Sequence, residues 1–190
     1  MKIIFLDFDG VITIPPKWEL DDKLIRNVLR IVNETGAKIV ISSSWRSDNI
    51  ENTINNVIIP RITINETTKA FIDNLYDVTP WVGLGNGRGG EIQKWLNEHN
   101  DIDNYVIIDD DHDMLDFQLY HFVQTNFEDG LTEVETNRAI KILNRKFIRN
   151  TMALNFTLRY EWLKRCEGLP NNYDKLTKYN DCIKYEDTRL

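Results

Sequence analysis

The chain has 190 residues, enough for one domain with a sizeable core, and its 42% hydrophobic and 28% charged residues suit a globular protein, not a disordered or fibrous one. A net charge of −7 argues against a surface that coats nucleic acid generally, while leaving room for a local basic patch. No apolar run approaches the roughly 20 residues of a membrane span. Asp7 and Asp9 interrupt the apolar start, which excludes a signal peptide, and the only cysteines, Cys166 and Cys182, are too few for a disulfide framework or a structural zinc site. The expectation is a cytoplasmic, reducing environment.

The first stretch, Lys2 to Val11, begins with the apolar run Ile3–Leu6, which predicts a strand buried on both faces. It ends in Asp7-Phe8-Asp9-Gly10. In extended backbone residues i and i+2 share a side, so Asp7 and Asp9 should lie close together at the strand's carboxyl end. Two like charges there repel unless a cation or a shared proton offsets them. Asp also favours turns, so the pair could simply open a loop. Val11 to Trp18, with Pro15-Pro16, predicts a flap over the end of this strand. Asp21 then caps a helix carrying Leu24, Val28, Ile31 and Val32, and Gly36 stops it. Lys38–Ile41 predicts a second strand, running into Ser42-Ser43-Ser44-Trp45-Arg46. Strand, helix, strand predicts a parallel pair with a right-handed crossover.

Further along, Ile50 and Ile54 suggest a short helix. Val57–Ile59 and Arg61–Ile64 read as strands, with Pro60 speaking against one unbroken central strand. Lys69–Tyr76 reads as helical, Gly83–Gly90 as a glycine-rich loop, and Glu91–His99 as a helix with Ile92, Trp95 and Leu96 on one face. Tyr105–Ile108 predicts another strand, entering Asp109-Asp110-Asp111-His112-Asp113, and His121–Thr125 one more. Thr132 and Glu135 form a capping box before a helix with Ile140, Ile142 and Leu143. This alternation predicts an α/β fold with a parallel sheet over residues 1–148. Residues 149–190 break the alternation and read as a helical C-terminal extension, with Met152–Cys166 as its helix.

Three predicted strand ends therefore carry polar clusters: Asp7/Asp9, Ser42 to Arg46, and Asp109 to Asp113. In an open parallel sheet, strand carboxyl ends share one edge, and the crevice there binds ligands. The middle cluster offers hydroxyls, backbone N–H groups and the cation Arg46, all suited to phosphate, although a serine run can also be a plain helix cap. Four aspartates in five residues need solvent or a metal, and hard carboxylate oxygens without Cys or His partners favour Mg²⁺.

With these residues in place, the sequence resembles the haloacid dehalogenase (HAD) superfamily of phosphatases and phosphotransferases. The resemblance rests on Asp7-Phe8-Asp9-Gly10-Val11, the serine after the second strand, a basic residue before the third helix, and the acidic run. More narrowly, Ile41 to Arg46, Arg88 to Leu96, and Tyr105 to Met114 are similar to the small HAD domains of multi-enzyme RNA-repair proteins, over roughly residues 1–145. The resemblance implies a three-layer Rossmann-like fold and hydrolysis through an aspartyl-phosphate. Asp7 would be the nucleophile and Asp9 the general acid and base. Mg²⁺ would be held by Asp7, the backbone carbonyl of Asp9, and Asp109 or Asp110, with Asp113 acting from farther out or through water. Ser43, or Ser42 in a register shifted by one, would hold phosphate together with Ser44, Arg46 and Arg88, and Lys94 is the alternative cation. The stretches from Gly10 to Ser42 and from Ser43 to Arg88 leave no room for a large cap domain, so the crevice should be open and suit a bulky phosphate such as a nucleic-acid end. The other readings are a small-metabolite phosphatase and a non-catalytic, receiver-like phosphate-binding module, in which Asp9 would have no purpose.

Two other patterns lose to this reading. Gly85 to Gly90 matches G-x-G-x-x-G, but the preceding segment from Asp77 to Val82 reads as a poor strand, and a dinucleotide site would leave Asp7 and Asp9 unexplained. Asp109-x-Asp111-x-Asp113 imitates a calcium loop, but Met114 and Tyr120 stand where glycine and glutamate are required. His112 reads as an exposed loop residue, and Trp45, beside the serines, as near the substrate. From Arg145 to Arg165 the chain has Arg145, Lys146, Arg149, Arg159, Lys164 and Arg165 against a single acid, Glu161, with Tyr160 and Trp162 among them. That is either a solvated helix face or a surface for a phosphate backbone.

Overall fold

A computed structural model of the chain describes residues 1–17, 19–82 and 87–145. Strands β1 (Lys2–Leu6), β2 (Lys38–Ile41), β3 (Leu75–Val78), β4 (Asn104–Asp109) and β5 (Phe122–Gln124) form one parallel sheet in the order β3-β2-β1-β4-β5. The helices are α1 (Asp22–Thr35), α2 (Ile50–Asn52), α3 (Glu66–Asp73), α4 (Gly87–Glu98) and α5 (Glu133–Leu143). The sheet's alternation sorts the core into two halves. Ile4, Leu6, Ile39, Ile41, Val106 and Ile108 pack with α1, α3 and α5 on one face. Ile3, Phe5, Val40 and Ile107 pack with Ile92 and Trp95 of α4 on the other. The result is the three-layer Rossmann-like α/β arrangement expected from the sequence. Among the described residues no helix is long and apolar enough to cross a membrane.

β1 is central, and β2 and β4 flank it from opposite directions of chain progress. This is the switch point at which open α/β sheets bind ligands. The ladder runs one step past each strand. Asp7 N–H donates to Ile108 O at 3.0 Å, Ser42 N–H to Leu6 O at 3.0 Å, Thr79 N–H to Ile41 O at 2.9 Å and Thr125 N–H to Asp109 O at 3.0 Å. These bonds bring the predicted clusters level along one edge.

Several local expectations change. Residues 50–61 are one winding of helical turns, with Ile50–Asn52 in α2, a wide π turn over Thr53–Ile58 and a tight turn over Ile59–Arg61, so Val57–Ile59 and Arg61–Ile64 are not strands. The π turn explains the misleading run of apolar residues. It buries Thr53 and Ile58, five apart, and turns Ile59 outward. The missing strand is Leu75–Val78, which the sequence reading split between a helix and a poor strand. An edge strand pairs on one side only and tolerates Tyr76 in solvent. Asp77 is retained because its carboxylate accepts the Trp95 indole N–H at 2.7 Å. Helix α4 begins at Gly87, so Gly87–Gly90 form its first turn and not a loop. Residues 146–190, which include the extension over 149–190 with its basic and aromatic residues and both cysteines, lie outside the described residues, as do Trp18 and residues 83–86.

Phe5 ties the central strand to the α4 layer. Its ring meets Trp95 edge-on at 5.4 Å and Tyr105 at 5.8 Å, and it is fully buried. Phe5→Ala should cost about 3–5 kcal/mol, read as a fall in the denaturant midpoint.

Candidate active site

Asp7 and Asp109 leave adjacent strands at the same level and are both buried, at 5% and 1% exposure. Gly10 turns the chain away at φ +68°, and a Cβ there would come within 2.7 Å of the Asp110 carboxyl carbon. Glycine thus makes the turn and leaves space for Asp110 beside the pair. Carboxylate oxygens of Asp7, Asp109 and Asp110 lie within 4.8 Å of one another.

Arg88 is the cation in this cluster. Its Nη2 is 3.1 Å from Asp7 Oδ1, and its Nε is 3.1 Å from Asp109 Oδ2. The first turn of α4 aims it. Asp113 Oδ2 accepts the Arg88 backbone N–H at 2.8 Å, and Asp113 O accepts that of Gly89 at 3.3 Å. Asp113 thus caps α4 from outside the helix, satisfying N–H groups that would otherwise be orphaned. This cap also explains how a first turn with three glycines among its four residues can start a helix. Gly89 is required for this contact, because a Cβ would meet Leu115 N at 2.5 Å and Gln118 Oε1 at 2.6 Å. Lys94, the alternative cation, is exposed farther along α4.

Burial outweighs Arg88 in setting the charge of the pair. Desolvation raises the Asp7 carboxyl to about 6 despite Arg88 and hydrogen bonds from the Ser43 hydroxyl and the Phe8 amide. Desolvation raises Asp109 to about 8, with repulsion from Asp7 adding to it. Asp110 is raised as well, first by burial. Three crowded carboxyls of hard oxygen are a fitting donor set for a divalent cation, which would stabilise their ionised forms.

Asp9 stands apart from this group. Its Oδ1 accepts the Thr13 hydroxyl at 2.7 Å and its Oδ2 the Trp45 indole N–H at 2.9 Å. Beyond Leu6 the backbone turns instead of continuing as a strand. Phe8 O accepts the N–H groups of Val11, Ile12 and Thr13 in that turn. The bond from Trp45 is one that residue order alone could not reveal.

The serine run divides. Ser43 reaches Asp7 and accepts the Trp45 N–H at 3.2 Å. Ser42 Oγ is buried with no hydrogen-bond partner among the described residues. Ser44 is exposed. Arg46 requires a correction: its side chain has 0% exposure and faces inward, away from any phosphate. Nε donates to Thr79 O at 2.8 Å, Nη1 to Ser43 O at 2.7 Å, and Nη2 is 2.6 Å from Glu91 Oε2. A guanidinium so engaged braces the serine loop against β3 and α4. Glu91, its buried counter-charge, carried no signal in the sequence.

The remaining motifs disperse. Asp111 is exposed beside His112, and Asp113 is at the α4 cap, so no calcium loop forms. The glycine pattern does follow a strand after all, but Asp109 and Asp110 belong to the Asp7 cluster. His99 stacks on Trp95 at 3.7 Å and His121 on Tyr105 at 4.0 Å, so both are packing residues.

The buried carboxyls predict a pH dependence. A carboxyl raised in the folded state lends stability below its ordinary value of 3.8 and loses it as pH rises through the folded value, about 6 for Asp7 and about 8 for Asp109. His121, lowered by burial to about 4, acts in the opposite sense below its ordinary 6.5. Between about pH 6.5 and about pH 8, in chelator, the protein should therefore lose stability, and Asp109→Asn should flatten the loss in denaturation curves.

Residues 3–136 match the family described as the HAD domain in Swiss Army Knife RNA repair proteins. No curated protein and no solved structure matches the chain. The match takes in β1, β4, the acid cluster and Arg88, and it supports a phosphatase-type hydrolase. The chain belongs to the HAD superfamily, as a HAD domain of the Swiss Army Knife RNA repair family.

Proposed function

We propose that the protein is a Mg²⁺-dependent phosphomonoester hydrolase that works through an aspartyl-phosphate and acts on nucleic-acid ends or nucleotides. The observation that carries this reading is the convergence of Asp7, Ser43, Arg88, Asp109 and Asp110 at one sheet edge, with Asp9 held separately by its own donors. The family's association with RNA repair supports the substrate class.

In this reading an Asp7 oxygen attacks phosphorus, forming a P–O bond while the bond to the leaving oxygen breaks. Asp9 gives that oxygen its proton. A water molecule then attacks the aspartyl-phosphate as Asp9 takes its proton, releasing inorganic phosphate and restoring Asp7. Ser43, the following amide at Ser44, and Arg88 hold the phosphoryl oxygens. Arg88 already spans Asp7 and Asp109, so it can neutralise the acids before substrate arrives and phosphate afterwards. Asp7, Asp109, Asp110 and the Asp9 carbonyl would hold Mg²⁺, which supplies positive charge against the developing charge on the phosphoryl group.

Asp7→Asn should abolish hydrolysis of a chromogenic phosphate while leaving the melting temperature close to or above that of the parent, because an amide cannot attack phosphorus. Asp9→Asn should be severely impaired, with radiolabelled phosphate retained on the protein if the first transfer survives. Full turnover by Asp7→Asn would refute the mechanism.

Chelator should stop the reaction, Mg²⁺ should restore it, and Ca²⁺ should restore it poorly, since its larger and looser coordination misplaces the phosphoryl group. An unchanged rate in excess chelator would remove the metal from the mechanism.

A further inference from the structure

Trp81 is 58% exposed, the largest exposure of any tryptophan among the described residues. An indole in water needs an explanation when it is held in place, and this one is held. The Arg46 guanidinium lies 3.7 Å from the ring centroid. Arg46 is itself immobile. Three of its nitrogens are engaged by Thr79 O, Ser43 O and Glu91, and its side chain is fully buried. A planar cation fixed under one face of a ring orients the indole and leaves its other side to solvent.

The position of this ring matters. Val78 pairs with Ile41, and Ile41 with Leu6, so Thr79 stands level with Ser42 and Asp7 on the carboxyl edge. Two strand spacings place it about 10 Å from Asp7. Trp81 follows two residues later, beyond the edge of the sheet. A second pairing of this kind follows the end of β2, with the Arg61 guanidinium 5.4 Å from the centroid of Trp45, whose indole N–H reaches Asp9. Two indoles, each with an arginine, thus follow the carboxyl ends of β2 and β3. Aromatic rings interleaved with cations are how proteins hold single-stranded nucleic acid without reading its sequence.

We propose that Trp81 is a stacking platform for a nucleobase, which holds the end of a single-stranded nucleic acid whose phosphate lies at Asp7. The proposal rests on the phosphatase reading only for where the phosphate lies. A nucleobase fits the spacing because a sugar separates it from its phosphate. In a phosphotyrosine the ring is bonded to the phosphate oxygen itself, which is too short a link to span two strands. Every base offers a flat face, so the platform predicts dependence on the presence of a base and not on its identity.

The test measures binding of the full chain carrying Asp7→Asn, which holds substrate without turnover. Probes are fluorescein-labelled single-stranded oligonucleotides of mixed sequence with a 3′ or 5′ phosphate, and the same oligonucleotides with an abasic phosphorylated residue. Anisotropy should give a Kd about tenfold tighter for the base-bearing end, toward the lower end of what one stacked base contributes. Adding Trp81→Ala should erase that ratio, and Trp81→Tyr should keep most of it, with melting temperatures recorded to show that both fold. Tight binding with no preference for the base, or a preference that survives Trp81→Ala, overturns the platform. So does Trp81-dependent binding of a phosphotyrosine peptide with none of the oligonucleotide. Turnover of a chromogenic phosphate by the unsubstituted chain reports separately. Turnover without a base effect overturns the platform and leaves the phosphatase; a base effect without turnover does the reverse.

Discussion

The bridge from Arg88 to Asp7 and Asp109 is the interaction on which the rest of the site depends. Two carboxyl groups buried side by side at the switch point of a parallel sheet are unfavourable by desolvation and by mutual repulsion. One guanidinium, entering from the next helix, can meet both because its nitrogens form a planar fork. Its contribution is incomplete, since both acids remain raised above their ordinary range. A further positive charge placed there would relieve it.

Much of the surrounding architecture serves to deliver that one side chain. Asp113 caps α4 so that the helix can begin with glycines, and Gly89 lets the helix start press against Leu115 and Gln118. The Gln118 amide then donates to Gly89 O at 2.9 Å, closing the contact from both sides. Across the cleft, the buried Arg46–Glu91 pair ties the serine loop to the same helix. Both walls of the site are thereby referenced to α4. A buried ion pair adds little net stability, but breaking it leaves a charge uncompensated, so it holds geometry stringently.

The two patterns that misled the sequence reading did so for related reasons. Val57–Ile59 has the composition of a strand, but its backbone winds through a π turn, whose spacing differs from both helix and strand periods. Leu75–Val78 lacks the composition of a strand because it lies at the sheet's edge and keeps a carboxylate for the Trp95 indole. Local composition reports what a segment buries, and these two segments bury unusual things. Arg46 was misassigned in the same way. A cation after three serines invites a phosphate, and only the fold reveals Glu91 waiting beneath it.

The strands at Lys2–Leu6, Lys38–Ile41, Asn104–Asp109 and Phe122–Gln124, the helices at α1 and α5, and the level of the three polar clusters were legible from residue order. They follow from short-range rules: two-residue alternation, helical periodicity, capping residues and turn glycines. The five-strand order, the edge position of Leu75–Val78, the donors that hold Asp9, the turning of Arg46 inward and the bracing of Trp81 by it were decided only in three dimensions. Each depends on groups far apart in the chain meeting at one place, such as Arg88 with Asp7, Trp45 with Asp9 and Arg46 with Glu91. Whether a charged side chain faces ligand or core is settled by which partner reaches it first, and spacing along the chain carries no record of that distance.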